Sequence, residues 1–285
     1  NNFHKNYGWD LGLGVNPKII KRINESDYIV LLGARLSENP SQGFSLFGIP
    51  DHNKKIVHIH PGPEEIGRIY NPYLGITANP IEFVNVLNNA LKGFNTKPEE
   101  NILADTNEAH EDYIDWGDMP LEAPNSGVDL TSAFRSLREK LDPDTIITNG
   151  AGNYAVWGHR LFRFTKVKTQ LAPISGSMGY GLPAAIAAKL RYPNQMVIAL
   201  AGDGCFQMTE NEFATAVQYN AAVIVFVVDN EMYGTIRMHQ HKNYKGKYKH
   251  TGLVNPNFSD LATAMGGQGY TVENTDEFYK TFIEA

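Results

Sequence analysis

An aspartate between two glycines, Gly202-Asp203-Gly204, and an asparagine 27 residues after the aspartate, Asn230, are the residues of this chain best suited to hold a cation. Each follows a run of apolar, strand-forming residues, 196–201 before the first and 223–228 before the second. The interval fits one strand–helix–strand crossover, which would set both residues at the same end of neighbouring parallel strands. Ligands of open α/β sheets bind beyond that carboxyl end. A carboxylate and an amide oxygen side by side suit a hard divalent ion such as Mg²⁺, which takes oxygen ligands and often shares them with a phosphate. Glycines around Asp203 would let backbone N–H groups come close to such an anion.

The charge pattern adds to this. Residues 145–202 contain no Asp or Glu, yet include Arg160, Arg163, Lys166, Lys168, Lys189 and Arg191. Either an anion site or simple burial accounts for that, since burial excludes acids too. Gly150-Ala-Gly152-Asn-Tyr-Ala155 matches a dinucleotide fingerprint. The acid needed about 20 residues later is missing, so a nicotinamide site is not expected.

The elements that must position these residues read as parallel α/β structure. Tyr28-Ile-Val-Leu-Leu32 and Lys55-Ile-Val-His-Ile59 are strands, punctuated by Gly33 and by Pro61-Gly-Pro63. Ile81, Val84, Leu87 and Leu91 fall at helical spacing before Gly93. Residues 94–127 carry Pro98, Pro120 and Pro124 with many acids and amides, and read as a linker. Leu130, Phe134, Leu137 and Leu141 mark another helix, followed by strands at 145–148, 196–201 and 223–228. Thr209-Glu-Asn-Glu212 reads as a capping box opening a helix to about Tyr219, and 275–283 as a last helix. The expected architecture is α/β, with two parallel-sheet domains carrying helices on both faces. Their expected bounds are 1–93 and 128–285, with the linker between.

Composition removes several alternatives. With 285 residues, 42% hydrophobic and 20% charged, the chain has the makings of a sizeable core. Its single cysteine, Cys205, excludes a disulfide framework and a Cys-rich zinc site. A net charge of −6 argues against general nucleic-acid binding. The longest apolar runs, such as 221–228, are far short of a membrane span. No basic start leads into an apolar stretch, and a cytoplasmic location is expected. The polar opening and the stop just after a helix suggest a piece of a longer protein.

Gly202-Asp203-Gly204 with Asn230 resembles the motif of thiamine-diphosphate enzymes. The stretch from Ser175-Gly-Ser-Met-Gly-Tyr-Gly-Leu-Pro to Ala188 is similar to the segment preceding that motif in the acetolactate synthase-like family. Asn149-Gly-Ala-Gly-Asn-Tyr-Ala-Val-Trp157 is similar to its diphosphate-side loop. The resemblance implies the later half of that family's middle domain, then its diphosphate-binding domain, cut short near its end. It implies thiamine diphosphate and Mg²⁺ as cofactors, a small 2-oxo acid as substrate, and decarboxylation with carboligation. A homo-oligomer with the active site at a subunit interface is also implied.

By position, Asp203, Asn230 and the carbonyl of Met232 would hold the metal. Gly202 belongs to the same turn, Gly204 and Cys205 would offer N–H groups to the diphosphate, and Asn153 and Tyr154 would face it. Tyr233, Gly234 and Thr235 would line the other flank. Met178 would wedge the cofactor into its folded shape and Gly176 would accept from the pyrimidine amino group. The family's activating Glu belongs to an N-terminal pyrimidine-binding domain absent from these residues, so the chain by itself is expected to be inactive.

Simpler roles stay open. Met178 could fill core, Cys205 could be a small buried residue, Asp229 could end its strand, and Glu212 suits the capping box. Lys242 to His250 reads as a solvated loop or as a means of steering an anionic substrate. Two departures bear on substrate and cofactor. His239 stands where acetolactate synthases carry a Trp, and Ser37-Glu-Asn-Pro40 with His58-Ile-His60 argue against flavin adenine dinucleotide. Those two histidines read as packing or capping residues ahead of a metal site. A decarboxylase without carboligation and a non-catalytic diphosphate-binding module are the alternatives.

Overall fold

The structure is a computed structural model that describes residues 6–8, 11–94, 98–119 and 122–285. The chain divides into two compact units, split between Trp116 and Gly117.

In the first unit, Asn16 caps helix α1 (Pro17–Glu25) by accepting the Lys18 N–H, and proline sits at the helix start. Strands β1 (Tyr28–Leu32), β2 (Lys55–His60) and β3 (Leu74–Thr77) pair in parallel and in that order. The first two lie where the apolar runs predict them, and β3 is short and goes unread. Asn79 caps α2 (Pro80–Leu91), and α3 spans Glu100–Asp118. One side of β1 packs on Leu36, Ile56 and Tyr70, while Tyr28, Val30 and Leu32 on its other side are exposed.

Helix α3 lies within the stretch read as a linker. Its acids obscure any apolar stripe, but they face cations of α1. Lys18 and Arg22 both bind Asp112, and Arg22 also reaches Asp105 and Glu108. Burial of Asp112 opposes ionisation, but hydrogen bonds from Lys18 and Arg22 outweigh it and hold the carboxyl below its ordinary range.

In the second unit the sheet runs β5–β4–β6–β7, all parallel: β4 Ile146–Asn149, β5 Gln170–Leu171, β6 Val197–Gly202 and β7 Ile224–Val228. Short apolar runs buried on both faces are what a central parallel strand needs, and β4 and β6 are buried throughout. On one face Ile147, Ile198 and Leu200 meet Phe134 and Leu137 of α4 (Leu130–Lys140) and Leu161 of α5 (Ala155–Leu161). On the other, Ile146, Val197 and Ala199 meet Ala185 and Ala188 of α6 (Gly181–Arg191). The two-residue alternation along each strand thus feeds two helical layers, as an α/β fold requires.

The short helix α7 (Asp203–Gln207) leads to α8 (Glu212–Gln218). Then come α9 (Gly234–Asn243), α10 (Phe258–Ala264) and α11 (Thr275–Glu284). The expected capping box is not made. Thr209 Oγ1 donates to the Gly179 carbonyl at 2.9 Å, so it is turned toward α6, and Glu212 accepts from Thr215. A tertiary bond has displaced the local one.

No helix among the described residues is long and apolar enough to cross a membrane.

Candidate metal centre

The order of the second sheet decides where a ligand fits. From β4 the chain crosses to β5 on one side, then returns to β6 on the other. The loops leaving β4 and β6 therefore diverge, and a crevice opens at the carboxyl ends of these two strands. Asn149-Gly150 lies at the end of one strand and Gly202-Asp203 at the end of the other, with the Gly150 N–H donating to the Leu200 carbonyl at 3.3 Å. Helix α6 comes very close from behind: a Cβ on Gly181 would lie 3.0 Å from the Gly150 nitrogen. Thr148 Oγ1 ties the same turn by donating to the Gly181 carbonyl at 2.7 Å.

Asp203 is buried, 3% exposed. Its Oδ1 accepts the Gly204 N–H at 2.8 Å and its Oδ2 accepts from Asn255 Nδ2 at 2.9 Å. Among the described residues no Lys, Arg or His pairs with it. A buried carboxylate served only by neutral donors is costly unless a cation completes it.

Gly202 pairs with Val228, so Asn230 emerges beside Asp203 at the end of the adjoining strand. Its Oδ1 accepts the Met232 N–H at 3.2 Å, and Glu231 between them is left-handed, φ 53°. The chain turns there, and 231–233 bonds back to 251–253 through Tyr233 N–H to Thr251 and Leu253 N–H to Glu231. A Cβ on Gly234 would stand 3.1 Å from Asn230 Nδ2.

The diphosphate-side residues form a cradle that needs its glycines. Cβ atoms on Gly150, Gly152 and Gly202 would all come within 2.9 Å of Tyr154, and one on Gly204 would lie 2.6 Å from the Tyr233 ring. Tyr154 thus lies across the crevice, half-buried; burial pushes its phenol far above the ordinary range, and neighbouring Cys205 adds to the rise. Cys205 is buried and donates from Sγ to the Ala151 carbonyl at 2.9 Å. Exposed Asn153 meets Thr235, Oδ1 accepting from Oγ1 at 3.1 Å, so residues expected on the two flanks touch.

Gly176 stands in an exposed turn at φ 69°, and Met178 is half-buried just before Gly179, which packs on Met208 and Thr209. Direct contact links neither to the Asp203–Asn230 pair. The site also contains two residues that the sequence does not advertise. Asn255 joins Asp203 to Asp229, and Gln207 donates to Asn255 Oδ1 at 2.8 Å. Neither belongs to a motif; an Asn before a proline signals only a turn.

Several other expectations find ordinary structural partners. In the acid-poor stretch, Arg163 pairs with Asp118, Lys166 with Asp144, and Lys189 Nζ bonds the Gln195 carbonyl. Such partners account for these three cations. His58 Nε2 bonds the Ala34 carbonyl and His60 Nδ1 meets the Gly62 backbone, so both histidines pack and cap. No cluster of three or more His, Cys, Asp or Glu stands ready for a metal among the described residues. Asp203, with Asp229 and Asn255 about it, is not part of any such cluster.

Comparison with known proteins agrees with the geometry. Residues 150–285 match the C-terminal TPP binding domain of thiamine pyrophosphate enzymes, and residues 1–87 match their central domain. The chain belongs to the thiamine pyrophosphate enzyme family. Among curated proteins it is similar to the acetolactate synthase large subunit of Porphyra purpurea, 30% identical over 271 residues, covering 92% of this chain and 44% of the relative. It is likewise similar to the mitochondrial acetolactate synthase of Schizosaccharomyces pombe, 29% identical over 276 residues, covering 92% of this chain and 40% of the relative. A shorter, closer match is the mitochondrial acetolactate synthase catalytic subunit of Aspergillus candidus, 42% identical over 129 residues, 45% of this chain and 19% of the relative. The chain spans less than half the length of these relatives.

Proposed function

We propose that this chain carries the metal and diphosphate half of a thiamine-diphosphate-dependent enzyme that decarboxylates a 2-oxo acid and joins the remainder to an acceptor, as in acetolactate synthase. The observation that carries this reading is the buried carboxylate of Asp203, without a cationic side-chain partner among the described residues, beside Asn230 at the β4–β6 crevice. These residues fit the cofactor: Asp203, Asn230 and the Met232 carbonyl would hold Mg²⁺, with the glycine cradle receiving the diphosphate. Thiamine diphosphate supplies an electron sink for the carbon that loses CO₂.

The residues of this chain bind and orient. Asp203 offsets the charge that Mg²⁺ brings to a buried place. Gly202 and Gly204 let the Tyr154 and Tyr233 rings pack close, where any side chain would collide. Asn153 and Thr235 close the flank opposite. In this reading Met178 and Gly176 act on the cofactor's shape, and Cys205 serves through its backbone N–H. Residues beyond this chain would complete the site at a subunit interface, so the chain alone binds without turning over.

One observation favours a second reading, decarboxylation without carboligation. His239 is exposed on α9, where the acetolactate synthase pattern has an aromatic residue that shapes acceptor choice.

Calorimetry with thiamine diphosphate and Mg²⁺, against ADP and Mg²⁺, tests the binding claim. Binding of the thiamine compound alone, lost by at least 100-fold in Asp203→Ala, is expected. Equal binding of ADP, or unchanged binding in Asp203→Ala, would overturn it. For the complete enzyme, acetolactate rather than acetaldehyde from pyruvate separates the two readings.

A further inference from the structure

We propose that Asn255 is a positioning residue for the divalent cation, and that Gln207 acts through it. The inference rests on reading Asp203 and Asn230 as the metal pair, and it concerns how that pair is tuned. Asn255 Nδ2 donates to Asp203 Oδ2 at 2.9 Å and to Asp229 Oδ1 at 2.7 Å, so both of its amide hydrogens are spent on carboxylates. Gln207 Nε2 donates to Asn255 Oδ1 at 2.8 Å. The two carboxylates decide the orientation of the amide, and the Gln207 bond agrees with it. Reversed, the amide would turn its oxygen on two carboxylates and its NH₂ on another NH₂ group.

Two consequences follow for a cation. The side chain of Asp203 is held at both oxygens, one by the Gly204 N–H and one by Asn255, which restricts its rotation. A rigid carboxylate favours the small, strictly octahedral Mg²⁺ over the larger and more tolerant Ca²⁺. Asn255 also draws the Asp229 carboxylate toward Asp203 with one shared neutral donor. Among the described residues neither acid has a cationic side-chain partner. Two carboxylates so held make a local negative potential that a divalent ion relieves.

The relay is also topological. Asn255 comes from the strand-like return after α9, pinned by the bonds between 231–233 and 251–253, and it bridges the residues that follow β6 and β7. It therefore holds the two metal-side strand ends in register. Partners that orient a ligating carboxylate are typically worth 10- to 100-fold in metal affinity.

The test is calorimetric titration of Mg²⁺, and separately Ca²⁺, into the 285-residue chain at saturating thiamine diphosphate. Asn255→Ala is expected to bind Mg²⁺ at least 10-fold more weakly and to narrow the preference for Mg²⁺ over Ca²⁺. Gln207→Ala, which leaves every carboxylate contact intact, should weaken Mg²⁺ in the same direction by a few-fold. It keeps the proposal testable if Asn255→Ala does not fold. The melting temperature without metal serves as the control for folding. Normal Mg²⁺ affinity and Mg²⁺/Ca²⁺ preference in a folded Asn255→Ala or Gln207→Ala chain would overturn the role of the relay while leaving the metal site standing. A wild-type chain that binds neither ion would overturn the metal pair itself, and the relay with it.

Discussion

The two units are built from the same material, short parallel strands of Val, Ile and Leu, and the proposed site lies in the second. In the first, the strands run β1–β2–β3 in chain order, so the described sheet contains no reversal and no diverging pair of loops. Late in β2, His58 and His60 bond to nearby backbone. In the second, the order β5–β4–β6–β7 places a reversal beside β4, and glycines there let Tyr154 and Tyr233 pack close. The composition of strands sets a core; their order sets a crevice.

The two sheets also differ in cover. Both faces of β4 and β6 are buried, whereas Tyr28, Val30 and Leu32 leave one side of β1 exposed. The largest stability effect should therefore come from the second sheet. Leu200→Ala, which removes a 2%-exposed side chain from the layer between β6 and α4, is expected to cost about 2–5 kcal/mol by urea unfolding. Gly181→Ala comes next. Its new methyl would press on the Gly150 nitrogen and the Leu200 carbonyl, both backbone atoms, and a cost of about 1–3 kcal/mol is expected.

Acid should separate the units more finely. Asp112 in the first and Asp118 in the second are both held below the ordinary carboxylate range, their hydrogen bonds from cations outweighing burial. Such groups add stability above the unfolded pKa of about 3.9, and lose it as pH falls through the lower, folded value. Asp112 is the more enclosed, with 10% of its side chain exposed against 42% for Asp118. Asp112→Asn should thus lower stability at pH 7 and flatten the acid-unfolding limb more than Asp118→Asn does. Equal flattening would show that solvent screens both pairs alike. The smallest effect is expected at Val30→Lys, within about 0.5 kcal/mol, because the residue is already 62% exposed. A larger loss would mean that this side of β1 is covered in solution.

Much of this contrast is legible in the sequence, for identifiable reasons. Strands β1, β6 and β7 are apolar runs and β2 and β4 are rich in Ile and Val; Asp203 follows β6 directly and Asn230 follows β7 after one residue. Strand β3 contains Gly75 in a four-residue span and β5 has only two residues, too little for a pattern. Helix α3 hides behind its acids, because its partners Lys18 and Arg22 lie more than 80 residues away. Asn255 is hidden for the same reason: it reaches Asp203 across 52 residues, through a return that only the folded chain shows. The capping box fails in the opposite way, with a sound local pattern overridden by the Gly179 carbonyl.

The central claim is that the β4–β6 crevice, and not the ends of β1 and β2, is where the cofactor's metal binds. Paramagnetic Mn²⁺ in place of Mg²⁺, added with thiamine diphosphate, tests this by nuclear magnetic resonance of the amide-labelled chain. The expected result is selective broadening of the Gly202, Asp203, Gly204 and Asn230 amides, with those of Gly33, His58 and His60 spared. Broadening centred on Gly33 and His60, or none at Asp203, would contradict the account.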